Sequence, residues 1–307
     1  MDRSEAGVGT AAPPWATAGG LRRGLPFDWT LLALVCAPVF VYLMLPTLVV
    51  VPMALTPRQL LEFPPSGISL RTFHDLFSDA AWTSAVLISL RVAAVVVGLS
   101  CLVATTAATA LHSARFAGKT IILGILMTPV VAPVIVLALA DYQFLVSLHL
   151  AGTWVGIALA HSVLATPYVF VTIQASLVGL DPALVRSARS LGAGPMAVFW
   201  HVYLPALRPG LLAGAVFAFA VSFDEAVIAL FLQGPQATTL PVKMFTDIQY
   251  ELSPKIAAVA SLLVGLAALA FLAQIAIVLR RRSRGRVWAA GGEQRWGNSG
   301  GRLLDGA

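Results

Sequence analysis

Six long apolar stretches, separated by short polar segments, dominate the pattern of this chain: 30–55, 84–111, 121–140, 154–173, 211–232 and 256–279. Each reaches the ~20 residues that a helix needs to cross a bilayer core. Each is expected to be helical, because lipid offers no partner for free backbone groups. The prediction is an all-α membrane protein with six transmembrane helices. Pro129, Pro133 and Pro167 fall inside the third and fourth stretches. Their missing N–H groups predict kinks there.

Composition agrees. The chain of 307 residues is 58% hydrophobic and 11% charged, against about a quarter charged in a soluble domain. The formal net charge is +6, but the basic residues gather at the ends of apolar stretches. That placement fits topology against a membrane face rather than nucleic-acid binding. With both termini inside, 15 of the 20 Lys and Arg lie on inner segments and four on outer loops, leaving Arg91 within a span. The run Arg280-Arg281-Arg282 after the last span is the firmest anchor. Segment 1–29 reads as a flexible cytoplasmic arm and 281–307 as a basic, disordered cytoplasmic tail. The membrane-spanning body is 30–280, with its core at about 84–279. The first apolar run is too long for a signal-peptide core of ~7–15 residues and is kept as a span.

One inner loop, 174–209, is long and carries helix punctuation. Asp181-Pro182 reads as an N-cap followed by proline at the first helical position. A short helix over 183–191 follows, with Gly192 as its stop. Leu184, Ala188 and Leu191 share one face at helical spacing, and Arg186, Ser187 and Arg189 flank it. Pro195 opens a second helix over 196–203, which Pro205 and Pro209 are expected to end. Such an amphipathic piece can lie on headgroups or enter a partner's groove.

The run Arg186-Ser187-Ala188, then Gly192, and after nine residues Val202-Tyr203-Leu204-Pro205 resembles the signature loop of binding-protein-dependent ABC permeases. That signature reads Glu-Ala-Ala, three residues, Gly, nine residues, Ile, one residue, Leu-Pro. Here Arg186 replaces the Glu, reversing its charge, and Ser187 replaces an Ala. The stretches Ser222-Phe223-Asp224-Glu225, Gly234-Pro235 and Thr239-Leu240-Pro241 look like the second membrane subunit of the spermidine/putrescine branch. Related branches carry ferric iron, thiamine or opines. The resemblance implies the fold of a type I ABC importer permease in a bacterial inner membrane. It further implies two copies of a separate ATPase, a second and different permease chain, and an external solute-binding protein. The docking residues would be Arg186, Ser187, Ala188, Leu191, Gly192, Val202, Leu204 and Pro205.

Ionisable residues within spans are costly and point to function. Asp224 and Glu225 lie at about 20 Å from the inner face by helical rise, and Arg91 at a similar depth. Three readings stay open: the acids contact a cationic solute, they neutralise Arg91, or they sit at the outer water boundary. His161, Tyr168 and Gln174 read as packing or interhelical hydrogen bonds. Gly210 and Gly214 form a GxxxG.

Catalytic patterns are missing. Gly118-Lys119-Thr120 lacks the glycine five residues earlier that a phosphate-binding loop needs, since position 113 is Ser. Cys36 and Cys101 form no CxxC. No HExxH, GxSxG or Cys/His cluster occurs, so no cofactor or metal is expected and ATP hydrolysis is assigned to another chain. The competing reading is a stand-alone secondary transporter or channel. A membrane enzyme fits least.

Overall fold

The computed structural model describes residues 29–276 apart from Gln59, Arg115 and Leu252. The predicted arm before Trp29, the Arg280-Arg281-Arg282 anchor and the 281–307 tail lie outside the described residues. All the regular structure among the described residues is helical. Twelve α-helices follow in order: α1 Trp29–Ala54, α2 Arg71–Ser78, α3 Ala80–Ser113, α4 Lys119–Val131, α5 Val134–Ser147, α6 Trp154–Val178, α7 Pro182–Ser190, α8 Pro195–Val198, α9 Leu204–Asp224, α10 Val227–Leu232, α11 Leu240–Tyr250 and α12 Pro254–Ala276. A π-turn, Phe199–Tyr203, joins α8 to α9.

The chain divides into two units, residues 1–49 and 50–307. The first is, in its described part, most of α1, apolar on every side. An all-round apolar helix needs lipid or protein about it. The second unit is a bundle centred on α6, which packs against α3 on one flank and α9 on the other. Its core interleaves Val92, Val96 and Ala104 of α3 with Ile157, Val169, Ile173 and Leu177 of α6, and with Leu207 and Ala218 of α9. A smaller cluster gathers Ala54, Leu76, Trp82, Leu240 and Ile256 through Val259. Elsewhere large apolar side chains such as Val178, Leu212 and Phe271 point outward, as expected when lipid is the solvent.

Five helices among the described residues are long and apolar enough to cross a membrane, and a pair bent by 106° is apolar enough to add a sixth if its two halves form one span. The departures from the expected spans have local causes. The third span, expected as one helix over 121–140, is α4 and α5 meeting at 106°. Ala132, held before Pro133, adopts an extended conformation (φ −69°, ψ 139°), the bias proline imposes on its predecessor. Pro133 then caps α5, its carbonyl accepting from the Val136 and Leu137 amides. Pro129, by contrast, sits inside α4, and α6 runs unbroken through Pro167.

The fifth span, expected over 211–232, stops at Asp224. Glu225 turns extended (φ −73°, ψ 115°). Its carboxylate Oε1 accepts the Ile228 amide at 2.9 Å, an acidic cap on the orphan donors of α10. Pro205 and Pro209 do not end the second loop helix. The π-turn widens the backbone so that the Leu204 amide reaches the Phe199 carbonyl, and both prolines fall in the opening turns of α9. Pro205 stands at an early helical position, which tolerates proline because its N–H would lack an intrahelical partner; Pro209 lies inside the helix and removes one backbone hydrogen bond there.

A docking arm and an acidic groove

The loop between α6 and α9 is a compact arm. The Asp181 carboxylate Oδ1 accepts the Ala183 amide at 2.8 Å and Pro182 takes the first helical position, as the sequence predicts. At the far end Gly192 adopts φ +85°. Its amide donates to the Arg189 carbonyl, and the Ala193 amide to that of Ala188, both at 3.0 Å. This is a Schellman stop, which satisfies the last carbonyls and fixes the exit direction. Both ends of α7 are thus closed by named groups.

Side chains on the arm split differently from the sequence expectation. Ala188 turns inward with Val185 against the bundle core, so it does not share an outer face with Leu184 and Leu191. Those two project, Leu191 at 89% exposure. Arg186 and Ser187 are exposed on α7. Val202 is half-buried in the π-turn and packs on the core. Leu204 opens α9 half-buried, and Pro205 is exposed in its first turn.

A second feature lies where the two broken spans meet. A groove of about 630 Å³ is lined by Pro129, Val130, Ala132 and Val134 at the α4–α5 bend, Leu164 and Tyr168 of α6, and Ala220, Val221, Asp224 and Glu225. Each break sets the groove's wall: one exposes the bend at Ala132, the other turns out Asp224. Asp224 is exposed and forms no ion pair among the described residues. A smaller apolar cavity of about 270 Å³, lined by Met127, Val130, Tyr168, Val171 and Phe217 among others, shares Val130 and Tyr168 with the groove.

Arg91 does not neutralise these acids. Its guanidinium lies 3.7 Å over the Trp154 ring, a cation–π contact that spares part of the desolvation cost. The two acids and Arg91 are therefore separate features. His161, fully buried, places Nδ1 3.2 Å from the Ser222 hydroxyl, tying α6 to α9 two residues before Asp224. Tyr168, read from the sequence as packing or an interhelical hydrogen bond, lines the groove. Its helical phase relative to Leu164 was the signal available.

No group of three metal-ligating side chains occurs among the described residues. The geometry is that of a helical bundle with candidate membrane spans, a projecting arm and a groove where two helix breaks meet. Residues 100–284, more than half of the chain, match the family described as binding-protein-dependent transport system inner membrane component, and the chain belongs to that family. It is 35% identical to the putrescine transport system permease protein PotI of Escherichia coli strain K12, over 65% of this chain and 74% of that protein. It is 28% identical to the spermidine/putrescine permease PotC of the same strain, covering 71% of this chain and 83% of that one. The molybdenum permease ModB of that strain is 34% identical, over 57% and 82%. A bacterial ABC transporter that imports alginate shares the fold (TM-score 0.61, 12% identity, 80% of this chain and 94% of that chain). The chain is thus a permease subunit of an ABC importer, and the stand-alone transporter reading gives way.

Proposed function

We propose that this chain forms half of the translocation path of an ATP-driven importer for a polyamine or a similar small organic cation. Residues 30–280 form the permease body, and both termini face the cytoplasm. The partners are two copies of an ATPase, a second and different permease chain, and an external solute-binding protein. ATP hydrolysis belongs to the ATPase. Segment 174–209 docks it, with Arg186, Ser187, Leu191 and Gly192 at the contact and Val202, Leu204 and Pro205 joining the arm to α9. ATPase closure moves the arms, and the spans swing between inward-open and outward-open states.

The observation that carries the solute class is the unpaired Asp224 carboxylate beside Glu225 on an otherwise apolar groove wall. Relatives include a molybdenum permease as well as polyamine permeases, so similarity by itself selects no charge. An acidic wall repels an oxyanion and attracts an ammonium group, while Val130, Leu164 and Tyr168 suit a methylene chain. Hydrogen bonds to charged groups contribute about 1.5–3 kcal/mol, so Asp224→Asn should raise the apparent KM for labelled putrescine or spermidine about 10- to 100-fold. Uptake into vesicles by the assembled importer measures it. An unchanged apparent affinity would refute the solute role of Asp224.

A further inference from the structure

A second groove, of about 670 Å³, lies between α3 and the arm. Leu102, Thr106 and Thr109 of α3 line it, with Met196, Phe199 and Trp200 and with Arg189 of α7. Arg189 is exposed and has no acidic partner among the described residues. The Thr106 and Thr109 hydroxyls donate to carbonyls of their own helix. Both hydroxyl protons are thus engaged within α3, and this wall presents neither as a free donor.

We propose that this groove holds one anionic phospholipid, its phosphate on Arg189 and an acyl chain along α3. Depth decides against a soluble occupant. α3 has 34 residues, about 51 Å at helical rise, against about 30 Å of hydrocarbon. A centred bilayer core leaves about seven residues of α3 outside at each end. Leu102, 62% exposed, and Thr106 then lie in hydrocarbon, and Thr109 lies beyond it. No soluble ATPase reaches Leu102. Trp200, 55% exposed, is a ring of the amphipathic kind that collects at membrane interfaces, and Arg189, lining the same groove, supplies the basic group that headgroup pockets use. A guanidinium binds phosphate through two parallel N–H groups. The assignment rests on the reading above only in placing the arm at the cytoplasmic face, and its readout is lipid, not uptake.

The test uses the assembled importer in nanodiscs of mixed phosphatidylglycerol and phosphatidylcholine, followed by detergent exchange and mass spectrometry of the retained lipid. The native chain should retain phosphatidylglycerol selectively. Arg189→Gln should lower that retention about tenfold, as for the loss of a charge-assisted contact, and Arg189→Lys less. Leu102→Trp, which fills the membrane end at an already exposed position, should lower it too. Millimolar inorganic phosphate should not displace the lipid. Displacement by phosphate, equal retention by Arg189→Gln, or a photo-crosslinker at 102 that captures the second permease chain rather than lipid would each overturn the proposal.

Discussion

Gly214 offers a direct test of how α9 sits on α6. A Cβ built there would stand 2.7 Å from both the Thr172 hydroxyl and Val169 Cγ1, and 3.2 Å from Val169 Cα. Carbon atoms meet comfortably at about 3.5–4.0 Å, so Gly214→Ala forces the helices apart by up to about 1 Å. The backbone atom cannot swing away. A gap of 0.5–1 Å forfeits roughly a quarter to a half of each dispersion contact along the seam, and overpacking of this kind costs about 1–3 kcal/mol. Neighbouring Ile173, Leu207 and Ala218, all fully buried, would share the loss. At about 2–4 °C per kcal/mol, the apparent Tm of the purified importer should fall by about 2–12 °C, read by scanning calorimetry at one protein concentration. Gly210 repeats the contact one turn earlier, against Ser176 and Thr172. Adding Val169→Ala to Gly214→Ala removes one of the two close atoms and should recover part of the loss, a non-additivity expected of touching residues. An unchanged Tm for Gly214→Ala, or simple additivity in the double variant, would refute this packing.

Two further outcomes follow from polar groups elsewhere. Ser222→Ala leaves His161, whose Nε2 already has no partner among the described residues, with neither ring nitrogen paired; stability should fall by about 1–3 kcal/mol, and His161→Phe in that background should recover part of it in the same calorimetric measurement. Outside the membrane, hydrogen bonds from the Ser66 hydroxyl and amide, then that of Thr56, with the Arg58 charge adding to them, hold the Glu62 carboxyl down to about 2 from an ordinary 4.5. A lowered carboxylate stabilises the loop fully above pH 4.5 and loses that contribution as pH falls toward 2; hydrogen exchange over 56–68, corrected for intrinsic rate, should rise across that window and lose the dependence in Glu62→Gln.

The spans and the arm were legible because their signals are local and strong. Twenty apolar residues form one unbroken run, an Asp-Pro start and a glycine stop each act within one or two turns, and α7 matches its expected bounds to within a residue at each end. The faces of α7 were harder to read, since periodicity gives phase but not which side the bundle takes. Val185 and Ala188 occupy it, so the outer face falls to Leu184 and Leu191. Of the three readings open for the acids, pairing with Arg91 is the one the geometry removes, for a related reason. Similar depth along two spans says nothing of azimuth, and Trp154, adjacent only once α3 and α6 pack, takes the guanidinium.

The two helix breaks differ in how they are encoded, and the difference bears on the groove. At Ala132 a proline writes the break into covalent geometry, so it persists whatever occupies the site. At Glu225 no proline or glycine is present, and the break is held by one carboxylate capping α10 through the Ile228 amide. The residue that ends α9 is therefore the neighbour of Asp224, and the cap that opens α10 is the same acid that lines the groove. On the proposed solute path, a cation entering there would compete with the Ile228 amide for Glu225, whereas Asp224 has no ion pair among the described residues. Occupancy of the groove and the register of α10 against α5 then become linked, so that Glu225→Gln, which keeps an acceptor for the amide but drops the charge, separates the two roles that Glu225→Ala would abolish together.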